Sequence, residues 1–218
     1  MNINNFDDRG NYYELKENIK KYTKLPLTAS NFASSIEGHN PFKNPQQLAD
    51  ELNGVVKINI PEDQLALIRK GIKEEPIAIK WYEEAFNKKV EPSRLTIPKW
   101  DVRIGCITDG KIDEDGILEV KCVKKMYPEL ISYLDKKESG EVFDKFYHDH
   151  IKTWHYDQIQ GGLAITGRQW CQYIVFCSDE DAIFEEKVYF NEKYWNEVLY
   201  PGIDDFIKKH RSDVKTFE

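Results

Sequence analysis

The chain has 218 residues, a formal net charge of −7, and 40% hydrophobic and 13% aromatic residues, which excludes a disordered or fibrous protein and allows a substantial core. No apolar run approaches the roughly 20 residues of a membrane span, and the polar, acidic residues 1–10 are unlike a signal peptide, so an intracellular protein is expected, in the cytoplasm of a host cell or bacterium. The negative charge argues against a surface coated for nucleic acid but leaves room for a local basic groove.

Residues 28–37, opened by Thr28-Ala29-Ser30, read as helical. Residues 45–54 read as a short helix stopped by Asn53-Gly54. Residues 64–88 carry Leu65, Ile68, Ile72, Ile79, Tyr82 and Phe86 at helical period, and Pro76 should interrupt or kink that helix or begin a second one. A short strand is expected at 94–97. Strands at 102–108 and 117–122 flank the turn Asp113-Glu114-Asp115-Gly116 and predict a hairpin. A helical region follows at 127–147, broken near Ser139-Gly140, then a helix at 150–166. Strands at 169–176 and 183–190 precede an amphipathic helix at 192–210, crossed by Pro201-Gly202. This order predicts an α/β (α+β) fold with a central mixed β-sheet flanked by helices. A single domain is expected: a helical part over about 1–90, a sheet core over about 91–190 and a C-terminal helix over about 191–211. Cys106, Cys122, Cys171 and Cys177 form no CxxC pair, so reduced, buried thiols are expected rather than zinc or iron–sulfur ligands.

The chemistry concentrates at Thr108-Asp109-Gly110 and Gly116-Ile117-Leu118-Glu119-Val120-Lys121. On a strand, Glu119 and Lys121 share one face while Leu118, Val120 and Cys122 share the other. A buried carboxylate and ammonium need partners, and a divalent metal would supply them. Magnesium takes oxygen ligands and keeps several waters, so Asp109 and Glu119, with the Val120 carbonyl, suffice to hold one. Lys121 would then orient or deprotonate the attacking water and stabilise developing charge. The same spacing also fits an ordinary hairpin with a solvated charged face. Glu75 is a candidate for the same metal or a second one, and equally a solvated helix acid. On a helix, Trp154, Gln158, Gly161, Gly162 and Ile165 fall on one side, suited to close approach by a ligand or by another helix.

Taken in order, Thr28-Ala29-Ser30, Gly71-x3-Glu75, Asp109-Gly110, Leu118-Glu119-Val120-Lys121-Cys122, and Tyr156-x-Gln158-x-Gln160-Gly161-x-Leu163-Ala164-x-Thr166-Gly167 followed by Trp170-Cys171 make a pattern. It resembles the lambda exonuclease and YqaJ viral recombinase family of the PD-(D/E)xK nuclease superfamily, over residues 25–177. The resemblance implies a restriction-endonuclease-like core and Mg²⁺- or Mn²⁺-dependent hydrolysis of linear double-stranded DNA, commonly 5′→3′. It implies Asp109 and Glu119 as metal ligands and Lys121 as the catalytic lysine. Glu75 matches the helix acid near the metals, Gln158 the helix glutamine beside them, and Ser30 the serine that helps hold a 5′-phosphate. Thr108 stands where the motif usually has proline. The family's arginine has no counterpart in register, and Lys21 and Lys24 are the nearest cations. Lys124 and Lys125 stand in for a second cation after the catalytic lysine. DNA ends, a homo-oligomer (dimer or trimer) and a single-strand annealing recombinase are the implied partners, with no membrane. One alternative is a RecB-like nuclease of the CRISPR-associated type, but the cysteine spacing predicts no iron–sulfur cluster. The other is a non-catalytic DNA-binding module, against which the intact Asp109, Glu119 and Lys121 argue.

Overall fold

The computed structural model describes residues 5–16, 26–56 and 60–211, apart from the Phe6 side chain. Two short strands, Phe6–Asp8 (β1) and Tyr12–Leu15 (β2), open it. Leu27–Thr28 (β3) leads into two 3₁₀ turns, Ala29–Asn31 and Ala33–Ser35. The helix expected at 28–37 is therefore not one α-helix. Hydroxyl and amide side chains compete with the helical ladder here: Asn31 Nδ2 donates to Thr28 Oγ1 at 3.2 Å, and Ser35 Oγ donates to the Phe32 carbonyl at 2.7 Å.

Pro45–Leu52 (α1) follows the expectation, with Asn44 and Gln47 making a reciprocal capping box. Glu62–Phe86 (α2) is continuous through Pro76, contrary to the expected break. Pro76 removes one ladder donor; its exposed position leaves the freed carbonyl to water. Glu62 and Asp63 suit the positive N-terminal end, and Asn87 ends the helix in the left-handed region at φ 49°.

Next come Val90–Glu91 (β4), Thr96–Pro98 (β5) and Ile104–Gly105 (β6). The strand expected at 102–108 shrinks to β6. Asp101 accepts bonds from the backbone N–H and the guanidinium of Arg103, which also reaches Asp204, and so 101–103 becomes a turn. The hairpin forms instead between Gly110–Ile112 (β7) and Gly116–Cys122 (β8), in register Gly110 with Leu118 and Ile112 with Gly116.

Pro128–Glu138 (α3) stops at Gly140, φ 91°, and the helix expected to resume toward residue 147 does not. Thr153–Thr166 (α4) starts three residues later than expected, because the preceding His150 is buried in a loop. Trp170–Cys177 (β9) and Ala182–Tyr189 (β10) follow. Glu192–Tyr194 (α5) and Tyr200–His210 (α6) are joined by the π-helical turn Trp195–Leu199. The Tyr200 N–H bonds to the Trp195 carbonyl, five residues back, just before Pro201 withdraws its own donor.

The main sheet runs β10-β9-β8-β7-β4, with β8 and β9 parallel and the other pairs antiparallel. Smaller sheets join β1-β2-β5 and β3-β6. The alternation along β8 divides two cores. Leu118 and Val120 pack with Ala78 and Tyr82 of α2, along with Ile174. Ile117 packs on the other face with Leu130 of α3, Ile159 and Leu163 of α4, and Tyr173. The sheet is thus flanked by helices on both faces, as the mixed α/β reading predicts. A third core joins Leu27, Phe32 and Leu48 to Trp195, Ile203 and Phe206. The four cysteines are free, and Cys106, Cys171 and Cys177 are buried.

Candidate nuclease centre

Glu119 points from β8 toward α4, where it meets Gln158. Gln158 Nε2 donates to Glu119 Oε1 at 2.6 Å, and Lys121 Nζ donates to the same oxygen at 2.6 Å and to Gln158 Oε1 at 2.9 Å. The three side chains form a closed triangle. It exists because a two-residue step on a strand returns to the same face and because α4 comes close. Closeness depends on glycine: a Cβ built on Gly161 would lie 2.5 Å from the Phe32 ring, and one on Gly162 3.1 Å from Ile117. The shared face of Gln158, Gly161 and Gly162 is therefore a packing face as well as a polar one.

Asp109 enters from the residue before β7. Its N–H donates to the Leu118 carbonyl at 3.1 Å, and its Oδ2 accepts the Val120 N–H at 2.6 Å. The backbone of Val120 thus holds Asp109 in place by its N–H, a role not visible in the sequence. Glu75 lies half-buried on α2, close enough for the Asp109 charge to raise its pKa. The neighbouring Glu74 turns elsewhere, to the Ser178 hydroxyl and Lys70.

Burial is the largest influence on the acids. It raises the pKa of Glu75 and Asp109, and with the Asp109 charge it pushes Glu119 up to about 8. Desolvation works against the charge of Lys121, but Glu119 and Asp109 outweigh it and hold that pKa above its usual value. Behind Lys121, burial and the lysine charge push His155 down to about 2; its Nδ1 lies 2.7 Å from the Tyr173 hydroxyl. Lys121 therefore faces a neutral imidazole. His155 lies in the first turn of α4, and nothing in its spacing marks it in the sequence.

These donors fit a hard divalent ion. The bonds above use Oδ2 of Asp109 and Oε1 of Glu119, and among the described residues the second oxygen of each acid takes part in none of them. Three acids face Lys121, and a bound cation would stabilise the ionised carboxylates that burial disfavours.

Residues 14–169 match the family model of the YqaJ-like viral recombinase domain. The chain belongs to this family. A comparison with curated proteins gave no match. Among solved structures, an alkaline exonuclease (LHK-Exo) from Laribacter hongkongensis is similar with 21% identity and a TM-score of 0.64, covering 87% of this chain and 90% of that one. The same exonuclease in complex with dAMP gives 20% identity and 0.64, covering 88% and 90%. A phage-related exonuclease from Haemophilus somnus 129PT gives 14% identity and 0.56, covering 86% and 92%. At these identities the likeness is one of fold.

In this YqaJ-like chain the residues expected at a 5′-phosphate are less closely gathered. Ser30 is exposed in a three-residue 3₁₀ turn, its Oγ 3.1 Å from Thr28 Oγ1. It does not begin an α-helix, so no helix dipole favours an anion there. Its neighbour Ala29 packs against Gly161 on α4, three residues after Gln158. Lys124 and Lys125 are exposed just after β8. Lys21 and Lys24 lie outside the described residues. No helix among the described residues is long and apolar enough to cross a membrane.

Proposed function

We propose that this chain is a Mg²⁺- or Mn²⁺-dependent DNA exonuclease that resects linear duplex ends, 5′→3′. One observation carries the reading: Lys121, Glu119 and Gln158 form a closed triangle beside Asp109, with a free carboxylate oxygen on each acid. Asp109 and Glu119 would hold the metal, with Glu75 and the Val120 carbonyl as further ligands. A divalent ion there would neutralise phosphate charge and acidify a water. Gln158 fixes the direction of both Glu119 and Lys121. Lys121 presents its ammonium to the attacking water and to the charge that builds on the phosphate oxygens. The Val120 N–H keeps Asp109 from turning away. Ser30, Lys24, Lys124 and Lys125 are proposed to receive a terminal 5′-phosphate, as hydroxyl and ammonium contacts without the bidentate fork of an arginine. The family's fold and the neighbouring exonucleases support the reading, and a homo-oligomer on duplex ends belongs to it.

The test is product analysis on linear duplex labelled at either end. Release of mononucleotides from 5′ ends, stopped by chelation and faster on 5′-phosphate than on 5′-hydroxyl ends, is the expected result. Equal rates on both ends at low salt would remove the phosphate pocket. Release from 3′ ends would reverse the polarity.

A further inference from the structure

A second cluster of ligand-type side chains lies apart from these acids. His148 and His150 belong to the irregular segment between α3 and α4, and Glu186 comes from β10, the edge strand of the main sheet. One ligand atom from each lies within 4.8 Å of the others. The histidines are only 7% and 5% exposed. Glu186 Oε2 lies 2.6 Å from His150 Nε2 and 3.9 Å from His148 Nδ1. The other carboxylate oxygen accepts the Tyr133 hydroxyl at 2.8 Å, which sets its orientation. The His150 ring stacks on Tyr133, centroids 3.6 Å apart and 6° from parallel.

This network is incomplete. Both nitrogens of His148 and Nδ1 of His150 are buried without a hydrogen-bond partner among the described residues. Unpaired buried nitrogens are costly, and His148 Nδ1, the orphan nearest the Glu186 carboxylate, is free to ligate an ion.

We propose that His148, His150 and Glu186 bind a zinc-class divalent ion, separate from the nuclease centre. Two imidazoles and one carboxylate select a borderline transition metal over magnesium, which prefers oxygen alone. Ligand atoms on a tetrahedral zinc ion sit about 3.3 Å apart. The His148–Glu186 pair has to close by about 0.6 Å and the His150–Glu186 pair to open by about 0.7 Å to meet that spacing. The His148–His150 pair, within 4.8 Å, must also match that spacing. Access exists from two sides: His150 and Asp149 line a cleft of roughly 370 Å³, and His148 and Asp149 line another of roughly 490 Å³. Water from either side fills the fourth position. The ion would clamp the segment before α4 onto the sheet edge, and so fix the start of the helix that carries Gln158.

The experiment uses full-length protein carrying Asp109→Ala and Glu119→Ala, so that the carboxylates proposed for magnesium do not contribute, stripped with chelator and titrated with Zn²⁺ and with Co²⁺. One equivalent of Zn²⁺ should bind, unaffected by millimolar Mg²⁺, and Co²⁺ should give the visible absorption of a tetrahedral site. Glu186→Gln and His148→Ala should weaken binding at least tenfold. Unchanged affinity in folded Glu186→Gln protein would overturn the proposal. Crystals of the unsubstituted protein soaked in Zn²⁺ need no variant at all. An anomalous peak among His148, His150 and Glu186 is expected; its absence there, with or without a peak at Asp109, would overturn the site. The nuclease reading stands or falls separately, because its test is cleavage.

Discussion

Lys121 and Gln158 share one oxygen of Glu119, so substitutions at these positions should differ in kind. Lys121→Ala removes the ammonium but none of the proposed ligands. We expect cleavage to be lost while Mn²⁺ still binds, read by calorimetry; loss of binding would mean that Lys121 holds the site together rather than acting on water. Gln158→Ala removes only an orienting partner, and losses at such positions are about 10–100-fold. Full activity in that variant would take Gln158 out of the centre. Burial, with the Asp109 charge, pushes Glu119 up to about 8, which favours the protonated carboxyl in the metal-free protein. A metal must displace that proton. Mg²⁺ affinity should therefore rise with pH up to about 8, with proton release at pH 7. Titration heats that do not change between buffers of different ionisation enthalpy would contradict this. At this scale the sequence was informative where a fixed step does the work: the i, i+2 relation put Glu119 and Lys121 on one face. It was silent on the Val120 N–H bond to Asp109, which depends on how β7 pairs with β8.

Elements that pack by pattern could be read, and elements held by local side-chain bonds could not. The alternation of β8 and the apolar run of β9 mark buried strands, and both formed near their expected bounds. Residues 102–108 carry a similar apolar pattern, but the Asp101–Arg103–Asp204 ion network turns the first of them away from the sheet. The strands β1, β2 and β4 are two to four residues long and exist through their pairing, with too few positions for a period to show. α4 offers the sharpest test at this scale. A methyl on Gly161 would meet Phe32 at 2.5 Å. Overpacking costs about 1–3 kcal/mol, against at most about 1 kcal/mol gained by replacing glycine within a helix. Gly161→Ala should therefore lower the melting temperature and reduce whatever depends on Gln158. A higher melting temperature would show that the α4 approach has slack.

For the whole molecule, the element order indicated a mixed sheet between helices, and that architecture is present. The parallel pairing of β8 with β9 joins segments separated by α3 and α4, and nothing in a one-dimensional pattern specifies it. The same distance hid His148, His150 and Glu186 from view, since their meeting depends on β10 lying at the sheet edge. With a net charge of −7, DNA binding through the proposed contacts at Lys124 and Lys125 should weaken steeply with salt. Asp109 and Glu119 are proposed to hold the metal that cuts DNA. The direct measurement is Mg²⁺-dependent cleavage of linear duplex by Asp109→Ala and Glu119→Ala proteins, with circular dichroism on the same samples. Both should retain the native spectrum, and both should show no cleavage. Near wild-type cleavage by either folded variant would contradict the account.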